Sequence, residues 1–162
     1  PGVGAFGDAA DKLRATGLDQ LVIKQAKKGV PVLGICLGMQ LLFEESLEYG
    51  RHKGLGLLAG RVVPMEGAIP AELKIPHIGW NALQPVAESP LLREVKPGDC
   101  VYFVHSYRAD TEPEYLSCTT FYGEEIPALV QKDMVYGAQF HPEKSGSVGL
   151  NMLKNFARLV EK

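Results

Sequence analysis

Gly34-Ile35-Cys36-Leu37-Gly38 sets a cysteine between two glycines where a short apolar run gives way to a helical pattern. G-x-C-x-G at such a junction has the form of a nucleophile elbow, in which small residues on either side let the backbone turn sharply and hold the middle side chain above a sheet. There, the N-terminus of the following helix lowers the thiol pKa, and the Leu37 amide points to where an oxyanion forms. The same five residues also fit a buried structural cysteine, the commoner fate of a free thiol.

A cysteine nucleophile needs a base. His52 lies in a basic, polar stretch and reads as a solvated side chain, and His77, after Pro76, as a turn residue. His105 ends a β-type run and fits either a site residue or a strand-end hydrogen-bonder. His141 stands in Phe140-His141-Pro142-Glu143-Lys144. Pro142 imposes an extended conformation on His141 and has a fixed φ itself, so the Glu143 carboxylate can reach the side of the imidazole. The tripeptide alone is equally a surface turn with a weak ion pair. Taken with Cys36 it forms a candidate triad: Cys36 as nucleophile, His141 as general base, Glu143 as the group that fixes the tautomer.

Gly2, Gly4 and Gly7 match G-x-G-x-x-G, the fingerprint of dinucleotide sites, and a helical pattern follows them. The fingerprint also needs an acid closing the next strand, whereas that strand ends in Cys36, and Asp19 and Gln20 fall within the helical stretch. The alternative reading is a glycine-rich segment that turns a backbone amide, of Val3 or Gly4, toward an oxyanion.

These residues must be positioned by the elements around them. Asp8 to Lys28 has helical apolar spacing interrupted at Gly17, so it predicts one broken helix or two short ones. Gly29 to Ile35 predicts a strand buried on both faces within a parallel sheet, and Leu37 to Leu47 a second helix. Strands are predicted at 60–65, 78–83, 100–107, 115–122, 128–132 and 135–140, and a final amphipathic helix at 149–160. This order implies an α/β domain with a parallel centre and an antiparallel extension.

Composition narrows the classes of function. In 162 residues, 17 Lys and Arg against 19 Asp and Glu leave a net charge of −2, so no basic excess marks a nucleic-acid or anionic-membrane partner. Cys36, Cys100 and Cys118 are odd in number and lack metal-ligand spacing, which suits a reducing, cytoplasmic setting with one nucleophile and two structural thiols. The length allows one domain, and no apolar run is long enough to span a bilayer.

Together, Pro1-Gly2-Val3-Gly4, Gly34 to Gln40 and Gln139 to Glu143 resemble the class I, triad-type glutamine amidotransferases. More narrowly, Gly54-Leu55-Gly56, Pro76-His77-Ile78-Gly79-Trp80-Asn81 and Tyr102 to Tyr107 resemble the glutaminase subunits of imidazole glycerol phosphate synthases. The resemblance covers nearly the whole chain. It implies a three-layer, flavodoxin-like α/β fold with a mostly parallel central sheet, no cofactor and no metal. Glutamine would be hydrolysed through a Cys36 thioester, and the ammonia passed to a (β/α)₈-barrel cyclase in a heterodimer of histidine biosynthesis. The resemblance implies that Gln40, Glu48, Ser106 and Tyr107 hold the α-groups of glutamine, and that Val3, Gly4 and Leu37 face the oxyanion. Tyr102, Lys144 and Trp80 would face the cyclase. In that family the opening segment follows a strand, a helix and further strands, so residues 1–162 are expected to be one domain lacking that start and poorly stable alone. Another triad amidotransferase, a γ-glutamyl hydrolase, a nucleotide-binding module and a non-catalytic binding subunit are the alternative readings.

Overall fold

The computed structural model describes residues 4–162. The N-terminal helical stretch is two helices, α1 (Phe6–Thr16) and α2 (Leu18–Lys27), divided at Gly17, whose φ of 75° lies in the left-handed region open to glycine. β1 (Val32–Ile35) leads through Cys36 into α3 (Leu37–Leu41).

The predicted helix from Leu37 to Leu47 is corrected here. It stops after five residues, and β2 (Phe43–Ser46) follows. The physical reason is a competition for carbonyls. Leu55 N–H donates to Leu41 O, the amides of Leu57 and Leu58 to Leu42 O, and Gly56 N–H to Phe43 O. Residues 54–58 thus consume the acceptors that a continuing helix would use. Gly54 is required at this crossing, because a Cβ there would lie 2.1 Å from Phe43 O.

The remaining strands are β3 (His52–Lys53), β4 (Leu58–Pro64), β5 (His77–Ala82), β6 (Gln84–Pro85), β7 (Cys100–His105), β8 (Tyr107–Thr111), β9 (Leu116–Phe121), β10 (Glu125–Lys132) and β11 (Val135–Ala138). α4 (Gly146–Val160) closes the order, starting three residues earlier than the pattern suggested. Three sheets result: five strands ordered β1-β11-β10-β9-β6, four ordered β3-β2-β4-β8, and the ribbon β5-β7. Parallel pairing is carried by β1 with β11 and β2 with β4, and the other pairs are antiparallel.

The five-stranded sheet is covered on both faces, which gives the layered α/β arrangement. On one side Tyr136, Ala138 and Phe140 pack with Met152, Phe156 and Leu159 of α4. On the other, Val130 and Val135 pack with Met39 of α3 and with Phe43, Leu58 and Val62 of the four-stranded sheet. β1 contributes Leu33 to the first cluster and Val32 to the second, each half-buried. Among the described residues no helix is long and apolar enough to cross a membrane.

Candidate active site

Cys36 sits between β1 and α3 with φ 55° and ψ −110°, a strained conformation for a non-glycine residue. The flanking glycines make the turn possible. A Cβ on Gly34 would lie 2.5 Å from Gly38 O and 2.7 Å from Met39 N, so strand and helix touch backbone to backbone. The Cys36 amide donates to Ala138 O at 2.7 Å, which ties the elbow to the end of β11.

The thiol is not held as an activated thiolate. Its S–H donates to Val104 O at 3.8 Å, and the Gln139 side-chain amide lies 3.9 Å from Sγ. Burial pushes the thiol pKa above its ordinary value; Leu37 N–H and Lys144 favour the thiolate but are outweighed, and the Glu143 charge opposes it. The expectation of a lowered pKa at the helix start is therefore corrected: desolvation wins over one backbone amide and a five-residue helix.

His141 and Glu143 form the pair that the sequence suggested. His141 is extended, with φ −101° and ψ 98°, and residues Pro142–Lys144 form a single 3₁₀ turn. Glu143 Oε1 lies 2.6 Å from His141 Nδ1. A carboxylate at Nδ1 places the ring proton there, which leaves Nε2 as the basic nitrogen. Nε2 is buried and has no hydrogen-bond partner. The segment is clamped from behind. Ser145 Oγ donates to His141 O at 2.6 Å and accepts from Tyr102 N–H at 2.9 Å, while His141 N–H donates to Tyr102 O. Gly149 of α4 packs so closely that a Cβ would lie 2.0 Å from Pro142 O.

Cys36 and His141 line one cavity of about 340 Å³ together with Gly4, Leu37, Gln40, Glu48, Pro76, Val104, His105, Ser106 and Tyr107. A larger cleft of about 720 Å³, bordered by Pro85, Ser89, Leu92 and Arg93, contains neither Cys nor His. The smaller cavity is therefore where chemistry can occur. Gly4 lies on it with φ 106°, and Val3 falls outside the described residues. Gln40 is buried; its Nε2 donates to Tyr107 O and to Gln139 Oε1, each at 3.2 Å, so its donors are committed and its carbonyl oxygen remains an acceptor. Glu48 Oε1 accepts from Phe6 N–H at 2.7 Å at the start of α1.

That last contact removes the nucleotide reading of Gly4 and Gly7. A carboxylate already occupies the helix start where a phosphate would bind. Gly7 serves packing instead, since a Cβ there would meet the His52 ring at 2.7 Å. His52 is thus partly packed rather than solvated, with Nε2 3.0 Å from Tyr49 O. His77 is likewise not a turn residue: it is 1% exposed on β5, paired with His105. Of the two thiols taken as structural, Cys118 is buried, with its pKa pushed up to about 12 by desolvation, whereas Cys100 is exposed.

Trp80 and Tyr102 are paired across the ribbon, ring centroids 6.1 Å apart, and Trp80 and Ile78 are more than half exposed on its outer face. Lys144 is exposed at the end of the Pro142–Lys144 turn. Four residues at the site escaped the sequence reading: Gln139, Ser145, Val104 through its carbonyl, and His77. A polar residue inside a buried run, as at Gln139, was the one available signal.

The sequence matches the family description "Glutamine amidotransferase class-I" over residues 1–160. The chain belongs to this family. It is 52% identical over 164 residues to the imidazole glycerol phosphate synthase subunit HisH of Geobacillus sp. (strain WCH70), covering 99% of this chain and 77% of that protein. It is 51% identical over 163 residues to the HisH subunit of Aquifex aeolicus (strain VF5), covering 100% and 77%. Among solved structures, one described as a glutamine amidotransferase matches with TM-score 0.71 at 20% identity, over 98% of this chain and 76% of that one. PurLQS from Thermotoga maritima matches with TM-score 0.70 at 19% identity, over 99% and 77%. These two carry the amidotransferase fold.

Proposed function

We propose that the chain is the glutaminase subunit of an imidazole glycerol phosphate synthase, hydrolysing glutamine to glutamate and ammonia. The observation that carries the reading is the convergence of Cys36, Leu37 and the unpartnered His141 Nε2 on one cavity, in a chain about half identical to HisH subunits. Cys36 Sγ attacks the side-chain carbonyl carbon while His141 Nε2 takes the thiol proton. Because the resting thiol is protonated and bonded to Val104 O, this transfer occurs as substrate enters rather than beforehand. The amides of Leu37 and of the Val3-Gly4 segment hold the oxyanion. His141 returns its proton to the departing nitrogen, so ammonia leaves and a γ-glutamyl thioester remains. Water, deprotonated by His141, then releases glutamate and restores the thiol. Glu143 compensates the charge that the ring carries between these steps.

In the same reading Gln40 Oε1 and the Glu48 carboxylate accept from the α-ammonium of glutamine, and Ser106 and Tyr107 meet its α-carboxylate. Trp80, Tyr102 and Lys144 face a (β/α)₈-barrel cyclase that uses the ammonia to form imidazole glycerol phosphate and aminoimidazole carboxamide ribotide. The setting is the cytoplasm. Glutamate release by the chain together with this partner subunit, absent in Cys36→Ala, is the expected result. Glutamate release that survives Cys36→Ala would refute the thioester route.

A further inference from the structure

His105 lines the reaction cavity and His77 stands behind it, yet neither takes part in the steps above. They stand opposite each other in the register of β5 and β7, with His77 Nδ1 3.0 Å from His105 Nε2. His105 Nδ1 lies 2.9 Å from Tyr107 O. A carbonyl can only accept, so the His105 proton is on Nδ1, and its Nε2 must accept from a proton on His77 Nδ1. His77 Nε2 is then a bare lone pair. It is buried without a hydrogen-bond partner, in a ring stacked on Tyr122 at 3.9 Å and on Phe103 at 5.0 Å. Asn81 favours a proton on His77, yet its Nδ2 is committed to Phe121 O and it makes no hydrogen bond to the ring. A second proton on either ring would be a buried donor with no acceptor, so the pair is neutral. Burial lowers both pKa values, that of His105 to about 4.

The Tyr107 carbonyl that His105 holds also accepts from Gln40 Nε2. One oxygen is thus gripped by a donor from the ribbon and by a donor from the helix that carries the nucleophile. It stands where the chain leaves β7 and enters β8, changing from the ribbon to the four-stranded sheet, with Ser106 between. Ser106 and Tyr107 both face the cavity. We propose that His77 and His105 are positioning residues: a neutral, tautomer-locked pair that fixes the Ser106–Tyr107 corner against Gln40 and so shapes the subsite for the α-groups of glutamine. This role rests on the glutaminase reading.

The test uses the chain with its synthase partner. His105→Phe keeps a ring and removes the donor, and it is expected to raise KM for glutamine about tenfold with kcat changed less than about twofold. His105→Asn, whose side-chain amide can donate to Tyr107 O, is expected to restore most of the loss. His77→Phe, which keeps the stack but frees the tautomer, is expected to raise KM by less than His105→Phe. Alkylation of Cys36 by iodoacetamide without glutamine should be unchanged in all three. Imidazole ¹⁵N spectra of the parent chain decide the pair without substrate: both rings should be neutral Nδ1–H tautomers, still at pH about 6, below the ordinary imidazole value. An Nε2–H tautomer or an imidazolium at His105 would overturn the inference, as would a fall in kcat with unchanged KM, or no change in either. Absence of glutamine hydrolysis by the parent with both tautomers as stated would tell instead against the glutaminase reading.

Discussion

His141 and His105 are buried to the same degree, 3% and 6% exposed, and border the same cavity, yet their surroundings suit opposite tasks. His141 meets a carboxylate at Nδ1 and leaves Nε2 open, while His105 meets a backbone carbonyl at one nitrogen and a second imidazole at the other. Glu143 is itself 42% exposed, so its charge stays in contact with water while its other side serves the ring. A ring so partnered can accept a proton. His105 has no charge to offset a proton, and desolvation holds it neutral down to about pH 4. The charge of the partner, not burial, separates the imidazole proposed to move protons from the one proposed to position the corner.

The strongest way to break this contrast is to remove the working ring. His141→Ala is expected to lower kcat/KM for glutamine by about 10⁴-fold or more, measured as glutamate release in the complex. Glu143→Gln keeps the shape and removes the charge, and a loss in kcat of about 10²- to 10⁴-fold is expected. A loss as small as that of His105→Phe would erase the distinction. Gly149→Ala acts on the support alone: its Cβ would press on Pro142 O, so stability should fall by about 1–3 kcal/mol and kcat with it, read from the melting temperature and the assay.

Another effect is on stability against pH. His105 has a pKa of about 4 when folded and the ordinary imidazole value of 6.5 when unfolded, so between the two the unfolded chain binds more protons. The stability it contributes is fully present above pH about 6.5 and is lost as pH falls toward 4, with His77 acting in the same direction. Denaturant titrations from neutral to acid pH should show this slope. His105→Phe should flatten it.

The parts legible in the sequence are those set by neighbours along the chain. The elbow follows from Gly34 and Gly38, whose backbones touch, and the His-Pro-Glu pairing from the fixed geometry around Pro142. The two N-terminal helices were legible through Gly17, and most strands through their apolar runs. What failed depends on distant partners. Nothing local in Leu42 to Leu47 says that residues 54–58 will take its carbonyls, and so a strand replaced a helix. His77 reads as a turn residue until β7 brings His105 opposite, and Gln139 as one polar side chain until Gln40 and Cys36 close around it. The thiol was misjudged for the same reason, because the helix start is visible in sequence and the burial that opposes it is not.

The central claim is that Cys36 carries the glutamyl group while His141 moves the protons. Its most direct test is acid quenching of the chain and its partner subunit during glutamine turnover, followed by peptide mass spectrometry. A γ-glutamyl adduct confined to the peptide bearing Cys36, formed in step with ammonia release and absent in His141→Ala, is the result expected. Turnover with no adduct on that peptide, together with full activity of Cys36→Ala, would contradict it.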